Sequence, residues 1–360
     1  MSRINPLTQK LSEHFSLHSS RLHTLVALVR GALTSSNVHH NSLARFVPSP
    51  TRKGAERRVE RFFAKQKLAT IDYAKTILSL LPSLPEKIVL CLDRTNWMFG
   101  MTDINYLVLS LRINRLISIP FLFEDLDKAG SSNTGERISL MQKLLQVLPG
   151  GRIQWLLGDR EFVGKDWIQW LHENDIPFCL RIKKDMHIPY SSDMFKQVCC
   201  FFEHLPYGCK RILHKTMHGV PLCLAGTRSK KGDLVIVMSN QDVKRAEQIL
   251  NVYRNRWSIE EMFKKLKTAG FFMENTHMKK KERLVSLMIV LGLAMVMAYL
   301  AGWTEKIRFK KTLKCPERSR FRAGLLVLQF KISQTLGKAI RWMNQLLNNA
   351  DSLIFPKSDG

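Results

Sequence analysis

Four side chains suited to acid and phosphate chemistry recur at helical spacing between residues 253 and 267. They are Tyr253, Arg256, Glu260 and Lys267, at offsets 0, 3, 7 and 14. An α-helix turns by about 100° per residue, so these positions fall within about 60° of one another. One face of a predicted helix therefore carries a phenol, two cations and a carboxylate. Glu261 would point about 80° away from Tyr253 on the other side, so Glu260 is the carboxylate expected to face the site.

The same residue types also occur on ordinary solvated helix faces. An Arg256–Glu260 pair at i,i+4 spacing is a routine helix stabiliser that contributes about 0.2–0.5 kcal/mol. The segment by itself therefore leaves both interpretations open, and residues elsewhere in the chain must decide between them.

Two aspartates follow short apolar runs far upstream of this segment. Asp93 follows residues 87–92, and Asp159 follows residues 153–158. Runs of this length and composition are typical of buried strands, and ligands bind at the carboxyl ends of strands in open α/β sheets. A single aspartate at a strand end is more often a turn or helix-cap residue. Two such ends together with Glu260 predict three carboxylates at one edge of a sheet.

Three carboxylates that converge on one point repel each other unless cations lie between them. Mg²⁺ and Mn²⁺ prefer such oxygen ligands. Two of these ions about 4 Å apart can activate a water or a 3′-hydroxyl and stabilise the leaving oxygen of a phosphoryl transfer. The predicted chemistry is the metal-dependent cutting and joining of phosphodiesters.

With these residues in place, the chain resembles the DDE transposases of the insertion sequence 4 family, which are bacterial cut-and-paste enzymes with an RNase H-like catalytic domain. The family signature Y-x2-R-x3-E-x6-K is matched at all four positions between 253 and 267. Asp93, in Leu-Asp-Arg-Thr, and Asp159, in Gly-Asp-Arg-Glu-Phe, match the two aspartate motifs of the family. The resemblance extends from about residue 40 to about residue 300 and is thinnest at both ends.

The resemblance implies a role for each of these residues. The implied catalytic and metal-binding triad is Asp93, Asp159 and Glu260. The residues implied to contact DNA phosphates near the transposon end are Tyr253, Arg256 and Lys267. The implied cofactor is Mg²⁺, with Mn²⁺ able to substitute, in a two-metal mechanism of phosphodiester hydrolysis and transesterification. Arginine, lysine and tyrosine fit phosphate contacts on chemical grounds as well.

The resemblance also implies a substrate and an assembly. The expected function is to bind the terminal inverted repeats of an insertion sequence, cleave the strands and transfer them to target DNA. The expected partners are double-stranded DNA and a second protomer, as a homodimer in the synaptic complex. Family members with a known mechanism excise the element through hairpin ends, an expectation that rests here on the resemblance alone.

The composition agrees with a nucleic-acid partner. The 360 residues include 56 Lys and Arg against 30 Asp and Glu, which gives a formal net charge of +26. Such a charge favours polyanions, although ribosomal and membrane-surface proteins can be equally basic. The seven cysteines include no C-x2-C pair, and the N-terminus shows no signal peptide. These features indicate a reducing cytoplasm, and the resemblance implies a bacterial, nucleoid-associated protein.

Residues 284–301 form an apolar stretch that just reaches the length of a transmembrane helix. The basic run at 279–281 precedes it, and the fold of the family buries a helix at this place, so we predict burial and no membrane contact. A basic membrane-associated protein anchored by this stretch stays an alternative. A second alternative is a transposase-derived DNA-binding protein that no longer cuts, although an idle triad of carboxylates would destabilise the fold.

The order of these patterns predicts an α/β fold. It consists of an RNase H-like mixed sheet flanked by helices, interrupted by a β-rich insertion domain and preceded by an N-terminal helical domain. The predicted domains are a helical DNA-binding domain at 1–80, a catalytic domain at 81–183 and 241–305, an insertion domain at 184–240, and a helical C-terminal region at 306–360 with a possible role in dimerisation. The insertion is predicted because the stretch between Asp159 and Glu260 exceeds what one helix and one strand require.

One amphipathic element stands out in the N-terminal region, at residues 56–63. Its apolar positions, Val59, Phe62 and Phe63, share a face that we expect to pack on a core, with Arg57, Arg58 and Arg61 directed outward. This pattern fits a domain that recognises the terminal repeats, and it equally fits an ordinary solvated helix face.

Overall fold

The computed structural model describes residues 6–35, 37–99, 102–191, 194–229, 231–309, 316–334, 341–342 and 345–347. In this part of the chain the helices are α1 (Pro6–Ser12), α2 (Ser19–Thr34), α3 (His40–Leu43), α4 (Arg52–Lys65), α5 (Thr70–Leu80), α6 (Thr134–Leu145), α7 (Lys165–Glu173), α8 (Ala246–Arg254), α9 (Trp257–Lys267), α10 (Lys281–Trp303) and α11 (Arg320–Gln334). The strands are β1 (Ile88–Phe99), β2 (Thr102–Asn114), β3 (Ile117–Asp125), β4 (Ile153–Gly158), β5 (Phe178–Arg181), β6 (His187–Pro189), β7 (Phe195–Gln197), β8 (Lys210–Met217), β9 (Val220–Arg228) and β10 (Leu234–Ser239).

One mixed sheet carries the site, with the strand order β3-β2-β1-β4-β5-β10-β9-β8. The first three strands are antiparallel, and β4 and β5 then add in parallel to β1. Residues 88–92 of β1 are buried, and in β4 only Gln154 is exposed and only Trp155 is partly exposed, as expected of strands in the middle of a sheet. This mixed sheet with flanking helices is an α/β RNase H-like fold, and the predicted fold class is confirmed.

The β-rich stretch between Asp159 and Glu260 continues this sheet. β10 pairs antiparallel with β5, and β9 and β8 follow outward in the order of a meander. A separate two-stranded sheet, β6 with β7, precedes them. Edge-to-edge pairing satisfies the backbone groups that the free edge of β5 would otherwise expose. The boundaries of the predicted domains stay predictions.

The first strand differs from its predicted form. The apolar run predicts a strand that ends at Leu92, but β1 continues to Phe99, so Asp93 lies within the strand and pairs with Val108. The parallel pairing of β1 with β4 does end at Leu92, opposite Gly158. Beyond that point β1 pairs with β2 and no longer with β4. Its polar side chains Asp93, Arg94 and Asn96 are partly or fully exposed there. The prediction of a strand end was wrong, but Asp93 still lies where the β1–β4 pairing ends.

Helix α10 is the apolar helix of the core, as predicted. By length and composition it could cross a membrane, with a mean hydropathy of 2.5, yet 94% of that window is buried inside the protein. It packs between strand β3 and helices α2, α5 and α11. A helix enclosed on all sides has no need of a polar face. Gly292 leaves room for Tyr73, whose hydroxyl donates a hydrogen bond to the Pro120 carbonyl oxygen at 2.7 Å.

The amphipathic element of the N-terminal region is helix α4, and its orientation is confirmed. Val59, Phe62 and Phe63 are buried, while the three arginines of the same turns are exposed. The guanidinium of Arg58 donates to the carbonyl oxygen of Pro48 at 2.6 Å. The apolar spacing thus determines which face is buried, and DNA recognition by the exposed face stays a prediction.

At the C-terminal end, helix α11 lies close against α10. A Cβ atom at Gly324 would meet the carbonyl oxygen of Ala298 at 1.8 Å, so the two backbones are in direct contact there. The helical C-terminal region predicted at 306–360 is described only in part. Residues 310–315 and 335–340 lie outside the described residues, and the predicted role in dimerisation stays a prediction.

Candidate active site

The two aspartates lie side by side on neighbouring strands. Leu92 of β1 is paired with Gly158 of β4, so the residues that follow them, Asp93 and Asp159, are separated by roughly the 5 Å between adjacent strands. The backbone N–H of the next residue donates to each carboxylate at 2.8 Å, from Arg94 to Asp93 Oδ1 and from Arg160 to Asp159 Oδ1. These hydrogen bonds fix the orientation of both carboxylates.

The signature segment forms two helices where one was predicted. Helix α8 ends at Arg254 and α9 begins at Trp257, with a turn at Asn255 and Arg256. The side-chain amide of Asn255 donates to the Val252 carbonyl oxygen at 3.0 Å, in competition with the regular helical ladder. The prediction of one continuous stripe was therefore wrong. Local spacing accounts for the Arg256–Glu260 contact, whereas tertiary packing brings Asp93 and Asp159 to Arg256 and Tyr253.

Arg256 is the hub of the cluster. Its Nη1 donates to Asp93 Oδ2 at 3.0 Å, and its Nη2 contacts Oε1 of Glu260, while only 13% of the side chain is exposed. Tyr253 completes the group, because its hydroxyl lies 3.4 Å from Asp159 Oδ1 and its ring lies 6.0 Å from the guanidinium carbon. The structure thus groups all three predicted carboxylates, Tyr253 and Arg256 at one edge of the sheet.

The electrostatics of the cluster favour the binding of a cation. Burial raises the pKa of Asp93 to about 6, although Arg256 and the Arg94 N–H lower it, and Glu161 raises it further. Burial by itself lowers the pKa of Arg256, but the acidic groups around it, Tyr253 first and then Asp93, raise that pKa above its usual value. The site therefore disfavours negative charge without a partner and holds positive charge firmly.

Lys267 lies apart from the carboxylates. Its ammonium donates to the Asn96 carbonyl oxygen at 2.8 Å, pairs with Glu274 at 3.0 Å and lies 5.7 Å from the ring centroid of Trp97. At the C-terminal end of α9, it is three turns of chain beyond Arg256 and faces the extended part of β1. The structure does not bring this signature residue into the cluster.

An ion pair that the sequence reasoning did not single out connects the two aspartate strands. Arg94, the neighbour of Asp93, binds both carboxylate oxygens of Glu161 at 3.1–3.2 Å. Its other nitrogen donates to Asn105 Oδ1 at 3.0 Å. Because Glu161 lies two residues after Asp159, the pair holds the two aspartate positions in register. Their adjacency to the aspartates was the available signal, since opposite charges flank the two motifs.

The residues present suit a hard divalent cation. All the candidate ligands are carboxylate oxygens. Asp159 Oδ1 accepts from the Arg160 N–H and the Tyr253 hydroxyl, and Arg181 Nη1 lies 4.0 Å from it. The buried Asp93 gains from any positive charge that approaches it. The oxygens of the three carboxylates do not all lie within 4.8 Å of one another. Arg256 lies between two of them and occupies Asp93 Oδ2 and Glu260 Oε1.

Residues 121–297 match the family model of the transposase DDE domain. The match includes Asp159 and the whole signature segment, and Asp93 lies before it. No curated protein sequence matches the chain. The fold is similar to that in a cryo-EM structure of the piggyBac transposase synaptic complex with hairpin DNA, with 12% identity and a TM-score of 0.50 over 100% of this chain and 83% of that chain.

These comparisons support a DDE transposase. At 12% identity the structural similarity concerns the fold, so the support for the reaction comes from the family match. The narrower assignment to the insertion sequence 4 family stays a prediction from the signature residues.

Proposed function

We propose that this chain is a metal-dependent DNA transposase that binds the terminal inverted repeats of its insertion sequence and catalyses strand cleavage and strand transfer. Asp93, Asp159 and Glu260 are its metal-binding catalytic residues. The observation that carries the proposal is the cluster around Arg256. This one guanidinium contacts Asp93 and Glu260, which are far apart in the chain, while Tyr253 contacts Asp159.

The three carboxylates would hold divalent ions, Mg²⁺ by preference and Mn²⁺ as a substitute, which would activate the attacking oxygen and stabilise the leaving one. The protein contributes position and charge. The Arg94–Glu161 ion pair keeps Asp93 and Asp159 in register. Arg256 balances carboxylate charge and, beside the scissile phosphate, can also donate to a phosphate oxygen. Tyr253 has a hydroxyl that can do the same from its place beside Asp159.

A basic cleft beside the site supports a nucleic-acid substrate. The cleft has a volume of about 890 Å³ and adjoins Asp159 through its neighbour Arg160. Its cationic lining residues are Arg160, Arg181, Lys183, Lys184 and Arg228, and its acidic ones are Asp185, Glu203 and Asp233. The excess of positive charge favours the phosphates of a DNA strand, so binding should fall steeply with salt. The piggyBac structure is a synaptic complex with hairpin DNA. As part of the proposal we extend DNA binding, with excision through hairpin ends, to this chain.

The remaining features of the proposal follow from the same reaction. Synapsis brings two transposon ends together, so we propose a homodimer in the synaptic complex, with Lys267 as a phosphate contact at the rim. The buried state of α10 supports a soluble DNA-acting protein over a membrane-anchored one. We place the protein in the cytoplasm of a bacterium, at the nucleoid.

Cleavage of the element's own ends tests the proposal. Purified protein is incubated with Mg²⁺ or Mn²⁺ and a DNA duplex that carries the terminal repeat flanking its coding sequence. We expect cleavage at the repeat boundary, reduced to background in Asp93→Asn, Asp159→Asn and Glu260→Gln. Asp166→Asn, which changes an exposed carboxylate of the same domain, is the matched control and should cleave normally.

Two outcomes would contradict the proposal in different ways. Tight and specific DNA binding by the wild type without cleavage would favour the transposase-derived DNA-binding protein. Cleavage that survives Glu260→Gln would show that Glu260 is not a metal ligand in this enzyme, and the assignment of α9 as a catalytic helix would be wrong.

A further inference from the structure

Three side chains of metal-ligand type meet at the far edge of the sheet, away from the candidate active site. His214 on β8 and Cys223 on β9 are direct partners across the antiparallel ladder, so their side chains share one face. Asp242 follows β10, in the segment that leads to α8. The imidazole Nε2 of His214 lies 3.4 Å from Asp242 Oδ1. Ligand atoms of all three residues lie within 4.8 Å of one another, and in the described part of the chain this is the one such trio.

We propose that His214, Cys223 and Asp242 form a binding site for a borderline divalent cation of the Zn²⁺ type. An imidazole nitrogen, a thiolate and a carboxylate are the three ligand types that Zn²⁺ takes in proteins. Bond lengths of about 2.0–2.3 Å at tetrahedral angles place neighbouring ligand atoms about 3.3–3.6 Å apart. The His214–Asp242 separation of 3.4 Å already has this value, and the remaining separations need only a small closure of side chains.

The surroundings suit an ion that enters from solvent. Cys223 is 3% exposed and forms the floor of the site, while His214 and Asp242 are exposed at its rim. An open cleft of about 360 Å³ lies over them, lined also by Asn240 and Gln241, so a water can complete four-coordination.

The charges and protons around the site are compatible with an ion. Burial raises the pKa of the Cys223 thiol, so its proton must leave for solvent as the sulfur–metal bond forms. Lys215 also lines the cleft, but its ammonium lies 5.2 Å from the centroid of the Phe201 ring, which offers it a cation–π contact. The site therefore combines a buried thiol with an accessible imidazole and an accessible carboxylate.

An ion at this place would act on the segment that delivers the signature residues. Residues 240–245 connect β10 to α8, and α8 carries Tyr253. The ion would connect strands β8 and β9 to residues 240–245, because His214, Cys223 and Asp242 each lie on one of these three segments. A hydrogen bond between His214 Nε2 and the Val243 carbonyl oxygen, at 3.3 Å, already connects them. A purely structural role for His214 is thus the competing explanation, and it requires no ion. The inference does not depend on the transposase activity.

Cobalt substitution distinguishes the two explanations. The reduced full-length protein is first freed of metal by chelation and then titrated with Co²⁺, whose bond to a thiolate gives a charge-transfer absorption in the near ultraviolet. We expect an equimolar, tetrahedral Co²⁺ complex that Zn²⁺ displaces and Mg²⁺ does not. Loss of an outer-shell partner costs about 10–100-fold in metal affinity, so Cys223→Ser and His214→Ala should each weaken binding by at least about tenfold. Cys209→Ser changes an exposed cysteine outside the trio and should bind as the wild type does.

The result that overturns the proposal is equally specific. It fails when an equimolar amount of Co²⁺ produces no thiolate band in the wild type, or when His214→Ala keeps the band at unchanged affinity. In the second case His214 would be a structural residue only. His214 is exposed, so its alanine variant should fold even if Cys223→Ser does not, and circular dichroism spectra of both variants verify this. Zn²⁺ should also raise the melting temperature of the wild type and leave that of His214→Ala unchanged.

Discussion

Replacement of Arg256 by alanine should destabilise the protein, and the structure sets the size of the effect. The side chain is 13% exposed and its two terminal nitrogens contact Asp93 and Glu260. The substitution leaves a buried carboxylate without its positive partner, which is costly because the desolvation penalty of the remaining charge is no longer offset.

The magnitude follows from the pKa of Asp93. Its value of about 6, raised from 3.8 by burial, means that ionised Asp93 already lowers the free energy of unfolding by about 3 kcal/mol at neutral pH. Without Arg256, Asp93 can become protonated in the folded state. At about pH 7.5 protonation costs about 5 kcal/mol relative to the ionised carboxylate of the unfolded chain, and this is the upper limit of the destabilisation at Asp93. The additional loss at Asp93 is therefore up to about 2 kcal/mol. Glu260 is 37% exposed, so solvent screening limits its share to less than about 1 kcal/mol.

Denaturant unfolding in metal-free buffer, followed by circular dichroism, measures this effect. We expect Arg256→Ala to lower the free energy of unfolding by about 2 kcal/mol. Arg256→Lys keeps the charge but can reach one carboxylate at a time, so it should lose about half as much. Arg254→Ala removes an exposed arginine of the same segment and should change stability by less than about 0.5 kcal/mol. A loss below about 0.5 kcal/mol in Arg256→Ala would refute the assignment of this residue as the partner of a buried Asp93.

Two further predictions concern pH and packing. The raised pKa of Asp93 means that the native state keeps a proton that the unfolded chain has lost, so its contribution to stability is present below about pH 4 and is lost as the pH rises to about 6. In Asp93→Asn the fall of unfolding free energy over this range should shrink by up to about 3 kcal/mol, and an unchanged pH profile would contradict the burial of this charge. Gly324→Ala should destabilise the contact between α10 and α11 by at least about 1–3 kcal/mol, because its Cβ would meet the Ala298 carbonyl oxygen at 1.8 Å. Thermal unfolding beside Gly151→Ala, where a Cβ meets nothing within 4 Å, measures this, and equal melting temperatures would disprove the close backbone contact.

The sequence alone identified most of the residues that meet at the candidate site. Residue types and spacing identified three carboxylates and a flanking tyrosine and arginine, and apolar runs predicted the α/β class, because burial imposes a pattern on each strand and helix separately. The burial of the long apolar helix could be predicted in the same way, since a helix enclosed by neighbours needs no polar face. These inferences depend only on what one segment must bury.

Only the tertiary structure decided how the segments meet. A turn at Asn255 separates the two signature helices. Lys267, on the same helix as Glu260, contacts Asn96 and Glu274 at a distance from the carboxylates. The extension of β1 beyond Leu92 depends on a partner strand, and the union of β10 with β5 depends on a free edge. The β10–β5 pairing and the Lys267–Asn96 contact draw their free energy from a distant piece of chain, which local periodicity does not describe.

Arg256 illustrates both what the sequence determines and what the tertiary structure determines. Its spacing to Glu260 is visible in the sequence, and so a helical ion pair is predicted. Its contact with Asp93 is not visible, because the two residues approach only when α9 packs against the sheet. The sequence determines which charges the protein carries, whereas the packing of helix on sheet determines which of them share one desolvated site.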